Sequence, residues 1–225
     1  MSIILYETAP PPLSVGNQVL ELVADNVTDL SMFAIPASNL LHEVYRWALP
    51  VEVGGYLQRI GSVPSEPVVL IVAFADDSPT DVVGFVLYSP VPTHPEACGI
   101  NYMAVKASHR RRGIGRKLME MVVDRHNHTE LTCAVKKVPF YESLGFRVLD
   151  SHNTQVVMNT RDASTTGLMA VLNVTPIYES NEAKLIYDQL VQRWGRKEMI
   201  NAAKQLERHT AQLTRQAQAF VQGRS

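Results

Sequence analysis

A chain of 225 residues, 46% of them hydrophobic, is long enough to fill one core and carry an appendage. Its 21 basic and 22 acidic residues leave a formal net charge of −1, which argues against a protein whose main task is nonspecific nucleic-acid binding and leaves only a local patch open. The N-terminal SIILYE is too short for a signal-peptide core and lacks a basic lead, and no stretch is long enough to span a membrane, so a soluble, cytoplasmic chain is expected.

Residues 1–17 read as a Pro-rich tail, extended or loosely held. QVLELVA (18–24) reads as a strand. Residues 28–49 carry apolar positions at roughly helical spacing, broken at Pro36 and ended by Pro50, and a further helix is expected over 51–60. PVVLIVAFA (67–75) is a continuous β-branched run, as a strand buried on both faces should be. DDSPTD (76–81) is a turn and VVGFVLYS (82–89) a second strand, which together predict a hairpin. ACGINYMAV (97–105) is a third strand. A helix follows to Asn127, with Ile114, Leu118, Met121 and Val122 as its apolar stripe. ELTCAV (130–135) is a strand and PFYESLG (139–145) a short helix, with Pro139 in its first turn and Gly145 closing it. FRVLD (146–150) and QVVMNT (155–160) form a final antiparallel pair. The sum is a mixed, mostly antiparallel α/β sheet flanked by helices.

Residues 161–179 read as a linker, and from Ser180 the composition turns helical. Ser180 or Asn181 caps a helix that Gly195 stops, and a second helix runs from Arg196 to Val221. Met199, Ala203, Leu206, Thr210, Leu213, Ala217 and Phe220 alternate by four and three, a heptad-like seam. The seam fits packing on its own chain or a homodimer through the C-terminal helices; the length of this helix tilts the expectation towards the dimer. Arg193, Arg196, Lys197, Lys204, Arg208 and Arg215, interspersed with Glu198 and Glu207, read as a solvated face. Cys98 and Cys133 sit in apolar runs with no Cys or His at ligand spacing, so they read as buried thiols and no metal is expected. His126 and His128, two apart near a helix end, read as surface residues.

The chemistry concentrates in KASHRRRGIGRKLME (106–120). The stretch follows a strand and opens a helix, whose first free N–H groups and dipole favour an anion. Gly113 and Gly115 let a large anion approach the backbone, and Arg110, Arg111 and Arg112 add charge and planar donors. The phosphate-binding pattern G-x-x-x-x-G-K-[ST] is absent, and Leu118 stands where a dinucleotide fingerprint needs its third glycine.

What remains, R-x-x-G-x-G at Arg110, Gly113 and Gly115, resembles the acyl-CoA pyrophosphate loop of the GNAT (general N-acetyltransferase) superfamily. INYMAV before it resembles the family's fourth strand. PFYESLGF (139–146) resembles its second signature, FYxxxGF. The resemblance covers residues 18–160 and implies a GNAT-like domain with acetyl-CoA as co-substrate. It implies that backbone groups of Met103 and Val105, with Ala104 between them, pair with the pantetheine arm. It implies that backbone N–H groups of Arg111, Arg112, Gly113, Ile114, Gly115 and Arg116 cradle the pyrophosphate, and that Tyr141 protonates the departing thiolate. A phenol, neutral at pH 7, suits that task; packing in a short helix is its structural alternative.

Two positions depart from the family pattern. The fourth-strand glutamate of some relatives matches Gly99 here, leaving Glu96, His94 or a water chain to act as base. Lys136 and Lys137 stand where many relatives have a cofactor-binding asparagine, and either meet phosphates or face water. The expected function is acetyl transfer to a primary amine, with the acceptor groove built from the 28–60 helices and the 151–154 loop. Glu43 and Glu52 could attract a cation there or be ordinary helix-surface acids. The rivals are a GNAT-fold CoA-binding or regulatory protein without turnover, which the long tail fits, and a nucleic-acid-modifying acetyltransferase, which the net charge disfavours.

Overall fold

The computed structural model describes residues 1–224. Its first element lies inside the expected N-terminal tail: β1 (Ile3–Tyr6) pairs antiparallel with the strand at 69–74, Ile3 opposite Ala73 and Tyr6 opposite Leu70. QVLELVA, read as a strand, belongs instead to α1 (Leu13–Asp25). Its buried residues Val15, Val19, Leu22 and Val23 recur at helical spacing, and the helix starts one residue after Pro12. α2 (Val27–Leu30) is one turn, and α3 (His42–Arg59) runs straight through Pro50. The expected stop at Pro50 was therefore too strict. Pro50 removes one N–H from the ladder and disturbs the turn before it, but burial of Leu49, Val53, Tyr56 and Leu57 carries the helix on.

The hairpin is β2 (Val69–Phe74) and β3 (Val82–Val91), followed by β4 (His94–Val105). Every residue of β2 is buried, because helices cover both faces of the sheet there. α4 (Ile114–Arg125) buries Ile114, Leu118, Met119 and Val122; Met119 takes the place given to Met121 in the predicted stripe. β5 (His128–Cys133), α5 (Val138–Glu142), β6 (Arg147–His152) and β7 (Gln155–Asn159) complete the domain. The sheet has 7 strands in the order β1-β2-β3-β4-β5-β7-β6, antiparallel except between β4 and β5. One face packs Val19, Val23, Val53 and Tyr56 on Leu70, Phe85 and Leu87; the other packs Leu118, Met119 and Val122 on Ile71, Val86 and Met158. Cys98 and Cys133 are buried, and desolvation pushes both thiols up to about 12. His126 is also buried, not on the surface as expected, with Nδ1 3.0 Å from the Pro95 carbonyl oxygen.

The C-terminal extension holds α6 (Thr175–Tyr178), α7 (Asn181–Trp194) and α8 (Arg196–Gln222). Ser180 caps α7 by accepting the Ala183 N–H at 3.1 Å, and Gly195 breaks it at φ 84°. α8 lies along β6 and β7 of its own chain. Met199, Leu206 and Ala217 of the seam are buried, Leu206 in the cluster with α1 and α3 and Ala217 in the cluster with Val156 and Met158, and Ala202 is buried in place of the exposed Ala203. Asn39 donates to the Ala202 carbonyl at 2.9 Å, and His209 lies 3.2 Å from the Ala34 carbonyl, so α8 also pins the loop between α2 and α3. Three residues of the seam expected to join two subunits are thus buried within the chain itself. Among the described residues, no helix is long and apolar enough to cross a membrane.

Met199 is fully buried, so Met199→Ala should cost about 2–4 kcal/mol in urea unfolding. Removing residues 180–225 should lower the melting temperature and increase binding of an apolar dye. An unchanged melting temperature on truncation would contradict this packing.

Candidate active site

β4 and β5 pair in parallel over only three positions: Ala97 with His128, Cys98 with Thr129, and Gly99 with Glu130. Beyond Gly99 they diverge. The register against β3 slips where Tyr88 faces Ile100 and Leu87 faces Tyr102, so Asn101 is the extra residue of a bulge. The Lys106 N–H donates to the Val83 carbonyl at 2.8 Å. Antiparallel alternation then turns the backbone groups of Met103 and Val105 to the other edge of β4, into the wedge left by β5. A narrow cavity of about 130 Å³ occupies the wedge, lined by Ile100, Tyr102, Met103, Leu131, Cys133 and Tyr141 among others.

The wedge opens onto a cleft of about 660 Å³ at the start of α4. Gly113 caps this helix at φ 79°, a left-handed conformation that a side chain would strain, and Arg111 before it also has a positive φ of 62°. The first α4 backbone bond runs from Lys117 N–H to the Gly113 carbonyl at 3.0 Å. The amides ahead of it precede the helical ladder and are disposed to receive an anion. A Cβ on Gly115 would lie 3.6 Å from Phe140 and 3.7 Å from Val105, an ordinary contact, so its small size leaves room in the cleft rather than relieving a clash.

The charges around the cleft are arranged by a residue the sequence did not single out. Asp29, on α2, faces Lys136 at 3.2 Å and Arg110 and Lys137 each at 3.7 Å. Burial alone would raise its carboxyl, but Lys137, Lys136 and Arg110 carry it below the ordinary carboxylate value. Burial likewise pulls the Lys137 ammonium down, with Asp29 opposing. Arg110 is tied further, to the Val105 carbonyl at 3.1 Å and to Asn26. It braces the loop against the end of β4 and the α1–α2 junction. No spacing rule marks Asn26 or Asp29; they reach the cleft because α1 and α2 fold over β4.

Met103, Ala104, Val105, Arg110, Arg111, Gly113, Ile114, Gly115, Arg116 and Tyr141 all line this cleft, together with Lys136 and Lys137. Arg112 does not. It lines a separate hollow beside Asp76 and Asp77. Arg116 is partly committed elsewhere, donating to the Ser143 hydroxyl at 2.8 Å and its carbonyl at 3.2 Å. Tyr141 is nearly buried, with its ring edge-on to Phe140 at 5.0 Å and Phe146 at 5.8 Å. It lines both wedge and cleft, and burial pushes its phenol up, so the hydroxyl keeps its proton through the physiological range.

The acceptor side differs from expectation. Glu96 and Glu43 are exposed, and His94 lies at the far end of β4 beside Thr93. Gly99 is buried under Met169, whose sulfur occupies the space a side chain there would need. Glu52 is only partly exposed, and its Oε1 accepts a 2.6 Å bond from the hydroxyl of Tyr102, on β4. The 151–154 loop meets the residues before α3, through Thr154 to the Met32 carbonyl.

Comparison with known proteins agrees with this geometry. Residues 67–148 match the family model for the acetyltransferase (GNAT) domain. A comparison with curated protein sequences found no match. Among solved structures, the PaiA N-acetyltransferase of Thermoplasma acidophilum in complex with coenzyme A is similar at TM-score 0.55 and 15% identity, covering 72% of this chain and 99% of that one. An acyl-CoA N-acyltransferase from Pseudomonas aeruginosa follows at TM-score 0.51 and 12% identity, covering 72% and 100%. An aminoglycoside 6'-acetyltransferase type Ii has TM-score 0.51 and 16% identity, covering 73% and 99%. The splayed strands, the amide loop at 111–116 and the matched segment agree: residues 67–148 match a GNAT acetyltransferase domain, and the fold around them is GNAT-like.

Proposed function

We propose that this protein transfers an acetyl group from acetyl-CoA to a primary amine by direct attack in a ternary complex. One observation carries the reading: the free backbone edge of β4 leads from a closed wedge, past Tyr141, to the unladdered amides of a helix N-terminus ringed by cations. An acyl-CoA has the same sequence of parts, with a thioester, a pantetheine arm that can pair like a strand, and a pyrophosphate. Met103 and Val105 hold the arm through backbone groups, and the amides at 111–116 hold the pyrophosphate. Lys136, Lys137 and Arg111 supply compensating charge. A β4 N–H directed at the thioester carbonyl stabilises the charge that develops on its oxygen. Tyr141 gives its proton to the leaving sulfur. A second reading, a CoA-binding protein without turnover, draws on Met169 seated over Gly99, where a base would otherwise stand.

Gly115→Asp sets a carboxylate in the cleft, and its Cβ meets only ordinary contacts with Phe140 and Val105. Acetyl-CoA affinity by calorimetry should fall at least tenfold, about 1.4 kcal/mol, with the melting temperature little changed. Equal affinity in the folded variant removes the pyrophosphate assignment.

Tyr141→Phe keeps both edge-on ring contacts and deletes the acid. In a thiol-release assay its kcat should fall on the order of 10²-fold while acetyl-CoA binding holds. Parental turnover would leave Tyr141 as packing alone. A parent that binds acetyl-CoA but acetylates no amine decides for the second reading.

A further inference from the structure

Lys137 is the one lysine among the described residues that lines the wedge between β4 and β5, and it lines the cleft as well. It ends the short turn Val135–Lys137 after β5, where its N–H donates to the Ala134 carbonyl at 2.8 Å, and it forms the N-cap of α5. Tyr141 comes four residues later on α5, a spacing that sets the two side chains on one face of the helix. Tyr141 borders the same two spaces. An amine thus stands beside the phenol that serves the leaving sulfur.

The neighbouring Lys136 differs in each respect. Its side chain is 70% exposed, it donates to Asp29 Oδ1 at 3.2 Å, and it does not line the wedge. The Lys137 side chain is 37% exposed, and its Nζ stands 3.7 Å from the same oxygen, beyond hydrogen-bond length. Nζ is therefore near Asp29 without being tied to it, and its flexible stem lets it turn towards the wedge. Burial is the largest influence on the ammonium and pulls it down. Lys136 and Arg110 pull the same way, while Asp29 and the Cys133 thiol oppose them. More of the neutral, nucleophilic amine is present than on an exposed lysine at the same pH.

We propose that Lys137 is an internal acetyl acceptor: with acetyl-CoA in the wedge, the protein acetylates Lys137 Nζ within the same molecule, and the modified side chain weakens cofactor binding. The inference rests on the acetyl-transfer reading above. The Lys137 ammonium first gives one proton to water, which frees the nitrogen lone pair. The nitrogen–carbon bond forms at the thioester carbonyl, and the carbon–sulfur bond breaks as the adduct collapses. Nitrogen sheds its second proton to water, Tyr141 protonates sulfur and is reprotonated from water, and one proton is released for each acetyl group moved. The product is a neutral amide. It removes one of the three cations gathered on Asp29 and leaves Lys136 and Arg110. The cleft then offers less charge to a pyrophosphate and carries a bulkier side chain at the wedge. Acetyl-CoA held without an external amine would in this way limit its own binding.

The test uses the full chain with acetyl-CoA and no added amine. Calorimetry first establishes acetyl-CoA binding, and peptide mass spectrometry then follows acetylation at each lysine with time. Lys137 should be modified on the order of tenfold faster than the more exposed Lys136. The rate per chain should not change when the protein is diluted at saturating acetyl-CoA, as an intramolecular step requires. Tyr141→Phe should slow it on the order of 10²-fold. Freed of cofactor, the acetylated protein should bind fresh acetyl-CoA about fivefold more weakly than protein never exposed to it. Lys137→Arg, treated in the same way, should bind as its own untreated sample does. Acetyl-CoA binding with Lys137 left unmodified, Lys136 acetylated as fast as Lys137, a rate per chain that rises with protein concentration, or equal affinity after acetylation overturns the inference and leaves the proposed function standing. Absence of acetyl-CoA binding to the parent overturns the proposed function and this inference with it.

Discussion

The structure depends on a pairing that stops. β4 and β5 share three ladder positions and then part, which leaves the far half of β4 with a paired edge towards β3 and an edge towards the wedge that no strand covers, its Val105 carbonyl held by Arg110. Exposed strand edges invite pairing, and unsatisfied backbone groups in a partly buried wedge are costly. An extended amide-bearing chain can relieve that cost, and the wedge is walled to accept one. The bulge at Asn101 and the parallel turn of the chain through α4 keep the wedge open. Closing it would require β5 to continue alongside β4, but the chain after Cys133 bends away into the lysine turn and α5, which bring Lys136, Lys137 and Tyr141 to the opening.

The electrostatics follow the same layout. Five Arg and Lys side chains line the cleft, yet Arg110 and both lysines converge on Asp29, and Arg116 reaches for Ser143. These groups are held in place before any ligand arrives, which lowers the cost of ordering them on binding. The acceptor side has the opposite character, with one carboxylate among aromatic rings and no compensating cation in reach. The two sides of β4 thus differ in charge, and Tyr102 and Met103, neighbours on that strand, both border the wedge between them.

The sequence made the central sheet legible because its signals were local. A β-branched run, a turn and a glycine-marked helix start each report on a few adjacent residues, and β2, β3, α4 and α5 all stand where those signals put them. The motifs at 110–115 and 139–146 pointed to one site only through resemblance, and the fold brings most of their residues, though not Arg112, to one cleft. QVLELVA failed because its apolar residues fit both periods over so short a window, and packing against α3 and β3 decided for helix. Pro50 failed because burial of the residues after it outweighs one lost hydrogen bond. The heptad-like seam of α8 was legible as an apolar stripe except at Ala203, which is exposed while Ala202 is buried, but a stripe does not say what it packs against. Asp29, the Tyr102–Glu52 pair and Met169 over Gly99 were out of reach altogether. Each joins residues far apart in sequence, and only the closed fold brings them together.

The measurement that tests the account most directly is amide hydrogen exchange on the full chain with and without acetyl-CoA. The account predicts new protection at Met103 and Val105 on the bare edge of β4 and across residues 111–116 at the start of α4, with β2 and β3 unchanged. Protection confined to other surfaces, with exchange at those amides unaffected by saturating acetyl-CoA, would contradict it.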